Sequence, residues 1–199
     1  MKSNTRWAAA NSQLRDTMSL DAAMRVEPAT PVDLPVVRAA YADARTIQRE
    51  QNAIVWPEFT DAAILGEIDA GNLFRIVAAD STAGVFTVAY EDAAIWGEQE
   101  RGAHIYLHRL ARVSGYRGRL IDAVLMWARA QCHQLGRAGI RIDTWASNAA
   151  LIAYYQRCGF DLVGQRRLAT NPGLPPHYYD GIELALLEQR CGGDAASNH

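Results

Sequence analysis

Between Ala103 and Phe160 the sequence alternates strand and helix, and each helix carries its own stop signal. No other stretch constrains the fold as tightly. A strand is expected over about 103–113. The helix after it starts near Arg117, lines Ile121, Val124, Leu125, Ala128, Cys132 and Leu135 along one face, and stops at Gly136. A second strand covers Ile140–Trp145. Asn148 then caps a second helix with Leu151, Ile152 and Tyr155 inward, ended by Gly159.

The flanking segments extend this pattern. A short strand lies around Met24–Pro28. Thr30-Pro31 opens a helix, with Thr30 as N-cap, Pro31 in the first turn and Asp33 near the positive end of the dipole. Val37, Ala40, Tyr41, Ala44 and Ile47 give it an apolar face. Trp56-Pro57 breaks the run. Thr60 or Asp61 caps a further helix carrying Ile64, Leu65 and Ile68, closed by Gly71. Strands Leu73–Ala79 and Val85–Tyr90 are expected as a hairpin joined by Asp80–Gly84. A loop runs from Glu91 to Gly102. Two last strands fall at Phe160–Leu168 and Gly181–Leu187. The order β-α-α-β-β-β-α-β-α-β-β makes the fold mixed α/β (α+β): one twisted sheet of about six to seven strands flanked by about four helices. The domain is expected over 24–190, between a mobile arm at 1–23 and a flexible tail at 191–199.

Composition removes several classes of function. Lys+Arg 20 against Asp+Glu 22 leaves no electrostatic surplus for phosphate backbones or anionic lipid, so neither nucleic acid nor membrane is an expected partner. No apolar run approaches the roughly 18 residues that cross a bilayer. Cys132, Cys158 and Cys191 lack the pairing of a structural zinc site, and no metal is expected; the default compartment is the cytoplasm.

Two pieces of the central run carry chemistry. The loop entering the helix holds Arg117, Gly118 and Arg119. Free N–H groups and the helix dipole favour an anion there, and two cations flanking a glycine suit a pyrophosphate; the same residues also suit an ordinary helix start with solvated arginines. In the next helix Asn148 and Tyr155 lie two turns apart on one face. A tyrosine hydroxyl keeps its proton at neutral pH and can hand it to a departing thiolate, or Tyr154-Tyr155 can serve as a core pair.

Together these pieces resemble the GNAT superfamily of N-acyltransferases, which use acetyl-CoA or a related acyl-CoA. The family's helix motif stands here as NAALIAYYQRCGF, Asn148 to Phe160, and its phosphate loop as RGRLID, Arg117 to Asp122. HRLA, then D-x-W-x-x-N, then YY and GF resemble a bacterial subgroup of unassigned substrate. The resemblance implies a GNAT-like fold and transfer of an acetyl group to a primary amine of a small molecule or an exposed amino group of a peptide. It places Tyr155 as the acid that protonates the CoA sulphur. It places Leu110, Arg112, Arg117, Gly118, Arg119, Leu120, Asp122 and Asn148 around acetyl-CoA.

Two motif glycines are replaced, by Leu120 and Asp122. A leucine Cβ is expected to restrict backbone approach to the pyrophosphate, and Asp122 to repel it. The alternative is therefore a non-catalytic module that binds acyl-CoA or a metabolite through a degenerate loop. On the strand over 103–113, alternation puts His104, Tyr106, His108, Leu110 and Arg112 on one face. The resemblance gives His108 the task of general base, with Glu91, Asp92 and Glu98 as rivals. Trp56, Glu91, Trp96 and Trp145 are expected around the acceptor. A monomer or homodimer is expected, dimers being common in similar proteins.

Overall fold

The structure, a computed structural model, describes residues 24–169, 178 and 181–191. The expected arm at 1–23 and the tail beyond Cys191 lie outside the described residues. The strands are β1 (Arg25–Pro28), β2 (Leu73–Ala78), β3 (Ser81–Ala89), β4 (His104–Arg112), β5 (Gly139–Trp145), β6 (Asp161–Arg167) and β7 (Glu183–Arg190). The helices are α1 (Leu34–Glu50), α2 (Asp61–Asp69), α3 (Ala93–Trp96), α4 (Leu120–Leu135) and α5 (Ala149–Arg157). All seven strands form one sheet in the order β1-β2-β3-β4-β5-β7-β6. Only β4 and β5 run parallel; every other neighbouring pair is antiparallel.

The helix starts follow local chemistry. The Thr30 N–H and hydroxyl both donate to Asp33 Oδ2 at 2.8 Å, fixing the turn before α1. The Ala63 N–H donates to the Thr60 hydroxyl at 3.2 Å at the start of α2. α4 ends at Gly136, which takes the left-handed conformation. Helix α4 packs on one face of the sheet, burying Leu120, Ile121, Val124, Leu125, Ala128 and Cys132 against Phe86, Ile105 and Ile140. Helices α1 and α2 cover the other face, with Val37, Ala40, Tyr41, Ile64 and Ile68 against Leu73 and Val85.

Several expectations are corrected. Leu135 and Ile47, placed on apolar helix faces, are 46% and 49% exposed. The β2–β3 turn is two residues, Ala79 and Asp80, both at positive φ, and β3 begins at Ser81 rather than Val85. The stretch STAG has little side chain to advertise a strand, yet Gly84 is needed there. Leu120 Cδ1 occupies the space where its Cβ would stand, and the Ala111 carbonyl oxygen lies 2.8 Å from it. The loop at 91–102 contains α3, capped by Asp92, whose Oδ1 accepts the Ile95 N–H at 3.3 Å.

The largest correction concerns β4. Val85 pairs with Ala111 and Thr87 with His108, so β4 carries one more residue than β3 between those pairs. Arg109 absorbs the extra residue at φ 53. Alternation therefore breaks after His108. Leu107 packs toward α4, but Ala111 packs toward α1 and α2, while Leu110 joins the α4 side. Arg112 pairs with Gly84, whose open side Leu120 fills. The single face expected for His104, Tyr106, His108, Leu110 and Arg112 does not exist.

Gly84→Ala is expected to lower stability by about 1–3 kcal/mol, because Leu120 and the Ala111 carbonyl must both move; urea unfolding of the two proteins measures it.

Candidate active site in the split sheet

The ladder between β4 and β5 covers only His104–Tyr106 against Gly139–Arg141. Beyond Tyr106 the two parallel strands have no ladder between them, while each keeps its other neighbour. A cleft of about 940 Å³ opens at this split. Its walls are Leu107–Tyr116, Ile142–Trp145, the C-terminal half of α1 with the chain after it, and Asn148, Leu151, Tyr154 and Tyr155 of α5.

The closed end of the split is fixed by Arg141. Its guanidinium is 2.9 Å from Glu188, donates to the Gln99 carbonyl at 2.9 Å and to the Tyr106 hydroxyl at 3.1 Å, and lies 4.2 Å from the Trp96 ring centroid. Trp96 is 1% exposed and belongs to this packing, away from the cleft wall. Glu91 and Glu98 are exposed and do not line the cleft either. Trp56 and Trp145 do line it, Trp145 with its ring 5.2 Å from that of Tyr178.

On the α4 side, Leu110, Arg112 and the loop Ser114-Gly115-Tyr116 line the cleft; sequence reading did not single out that loop. Arg117, Gly118 and Arg119 follow at the start of α4. The first turn of α4 has no side-chain cap, and Arg117 and Arg119 are exposed, which suits an anion. Leu120 is buried to 6% exposure, so its side chain points into the core rather than over the N–H groups. That removes the expected steric conflict. Asp122 pairs with Arg119 at 2.9 Å, with both side chains more than half exposed. Such a pair is weak in water and easily exchanged for a stronger anion. Asn148 caps α5, its Oδ1 accepting the Leu151 N–H at 3.1 Å. Tyr155 is half-buried beside Tyr154 and Phe160, and burial raises its pKa above the usual tyrosine range, with Tyr154 and Asp143 adding to the rise.

At the split, His108 lies between two carboxylates. Its Nε2 is 3.4 Å from Asp92 Oδ2, and its Nδ1 is 3.5 Å from Asp143 Oδ1. The Asp143 side chain is 6% exposed, that of Asp92 11% and that of His108 22%. Burial disfavours every charge in the group. It pushes the Asp143 carboxyl up to about 7, with Asp92 adding to the rise. It pushes Asp92 up to about 6 and His108 down to about 4, with Arg109 lowering His108 further and Glu67 opposing. Ligating atoms of these three residues lie within 4.8 Å of one another, the metal-like grouping found among the described residues.

The Acetyltransferase (GNAT) family model matches residues 41–160. The uncharacterised N-acetyltransferase YesJ of Bacillus subtilis is 32% identical over 106 residues, 51% of this chain; the chain spans 59% of that relative's length. The fold matches a GNAT-family acetyltransferase from Listeria monocytogenes with a TM-score of 0.65 at 19% identity, covering 84% of this chain and 94% of that one. It also matches yncA of Salmonella typhimurium, solved with its cofactor acetyl-CoA, with a TM-score of 0.57 at 14% identity, covering 88% and 98%. Among the described residues, no helix is long and apolar enough to cross a membrane.

The raised Asp143 pKa has a consequence for stability. The unfolded chain ionises this carboxyl near the ordinary value of about 4, and the folded chain near about 7. Folding thus takes up a proton between those values, and stability from this group falls as pH rises through that window. Asp143→Asn is expected to match wild type near the acid end and to be the more stable protein above neutrality; urea midpoints across the window check it.

Proposed function

This chain belongs to the GNAT acetyltransferase family, and from that premise we propose that it transfers an acetyl group from acetyl-CoA to a primary amine by direct attack in the β4–β5 cleft. The observation that carries this is the split itself. A parallel pair opens beyond Tyr106, with an uncapped 16-residue helix on one side and a buried acid–imidazole group inside it.

The residues divide the task by position. Arg117, Arg119 and the α4 N–H groups hold the diphosphate. Leu110, Tyr116 and Asn148 line the path inward. The unladdered edge of β4 offers main-chain N–H groups to the thioester oxygen as charge develops there. Tyr155 keeps its proton, because burial raises its pKa, and delivers it to the departing sulphur. Trp56, Trp145 and Tyr178 give the acceptor end an aromatic wall, which suits an amine with an organic body. The amine's own proton leaves toward the group around His108. The buried Leu120 and the paired Asp122 favour a working phosphate loop over the degenerate one.

Two expected outcomes test this reading. Tyr155→Phe retains acetyl-CoA affinity and loses roughly 10²–10⁴-fold in kcat, measured by mass of the acetylated product over a panel of primary amines. Asp122→Ala releases Arg119 and removes a negative charge from the first turn of α4. It tightens acetyl-CoA binding roughly 2- to 5-fold at low salt and less at high salt, read by calorimetric titration. Looser binding in that variant would show that Asp122 supports the site.

A further inference from the structure

Asp143 stands in the D-x-W-x-x-N stretch, and acetyl transfer as described sends the amine's proton toward the group around His108 without naming the atom that takes it. We propose that Asp143 is the general base of the reaction, acting from the root of the cleft beside His108; this rests on the acetyl-transfer reading. Asp143 is two residues beyond Arg141, where the β4–β5 ladder ends, so its strand carries it to the root of the cleft. Asp143 and His108 both line the cleft. Asp92 does not, and one of its oxygens caps α3.

The ring of His108 is the rival base. Carboxylates face both of its nitrogens, Asp143 at Nδ1 and Asp92 at Nε2. The Asp92 oxygen facing Nε2 has no hydrogen-bond partner, and the neutral ring, with a single N–H, donates to at most one of the two carboxylates. Titration supports this assignment. Asp143, pushed up to about 7, is ionised in part at neutral pH and accepts a proton readily; His108, pushed down to about 4, does not retain one. Asp92 at α3 raises Asp143, His108 on β4 lies 3.5 Å from it, and Asp143 in turn raises Tyr155 on α5 and Tyr178 in the chain before β7. Arg109 and Glu67 act on His108 with opposite signs.

The step balances. An ammonium acceptor gives one proton to the Asp143 carboxylate. Its nitrogen forms the N–C bond as the C–S bond breaks. The Tyr155 hydroxyl protonates the sulphur and is restored by the second nitrogen proton. The products are an amide, a free thiol and one proton that Asp143 releases to water.

The test uses the full chain in two parts. Aspartate carboxyl carbons are followed by NMR from about pH 4 to 9, without any acceptor. The expected result is a carboxyl titrating near 7 in wild type and missing in Asp143→Asn. In parallel, pH–rate profiles are taken for wild type, Asp143→Asn, Asp143→Glu and His108→Ala with acetyl-CoA and phenethylamine, putrescine or a peptide with a free N-terminus. Asp143→Asn should keep acetyl-CoA affinity, lose roughly 10²–10⁴-fold in kcat and lose the acidic limb. Asp143→Glu should recover part of the rate. An Asp143 carboxyl that titrates near the ordinary value of about 4 overturns the proposal. So does an Asn variant that keeps the acidic limb while His108→Ala loses it. If wild type acetylates none of these amines but binds acetyl-CoA, the carboxyl titration alone decides. If acetyl-CoA does not bind, acetyl transfer itself fails, whatever Asp143 does.

Discussion

One backbone conformation in β4 decides the rest of the site. Arg109 sits at φ 53, a region that costs a non-glycine residue of order 1–2 kcal/mol. Its surroundings hold it there. The guanidinium pairs with Glu67, donates to the Thr87 hydroxyl at 3.2 Å and lies 5.1 Å from the Phe59 ring centroid. The bulge adds a residue to β4 on the β3 side, turns the strand's later side chains over and accompanies the loss of pairing with β5.

The split stays local because both ends are anchored. At the closed end, Arg141 joins β5, β7 and the α3 segment through Glu188, the Gln99 carbonyl and the Trp96 ring. A buried cation of this kind is tolerable only because its donors are met. On the far side, Leu120 fills the space over Gly84, so the first residue of α4 is locked to β3. The start of α4 is therefore held by a core contact, and its N–H groups need no side chain of their own to fix them.

The sequence made the elements and their order legible, because caps, glycine stops and helical spacing are local signals. Thr60, Asn148 and Gly136 act where the pattern puts them. Non-local features were not legible. Nothing in YLHRLARV marks Arg109 as the bulge, since the residues that hold it come from α2, β3 and the chain before α2. Strict alternation consequently misplaced Leu110 and Arg112. Leu120 read as an obstacle because its direction depends on Gly84, far away in sequence. Trp96 read as a cleft residue because the cation that buries it, Arg141, belongs to another strand. Asp143 drew no attention because its importance comes from His108 and Asp92 meeting it across the split.

The central claim is that acetyl-CoA occupies the opening between β4 and β5. Backbone amide shifts followed by NMR during an acetyl-CoA titration test it most directly. The account predicts perturbed amides along 107–119, 142–148 and the first turns of α4 and α5, with the outer strands β1 and β6 unaffected. Perturbations confined to another surface, such as the groove between α1 and α2, or no perturbation at saturating ligand, would contradict it.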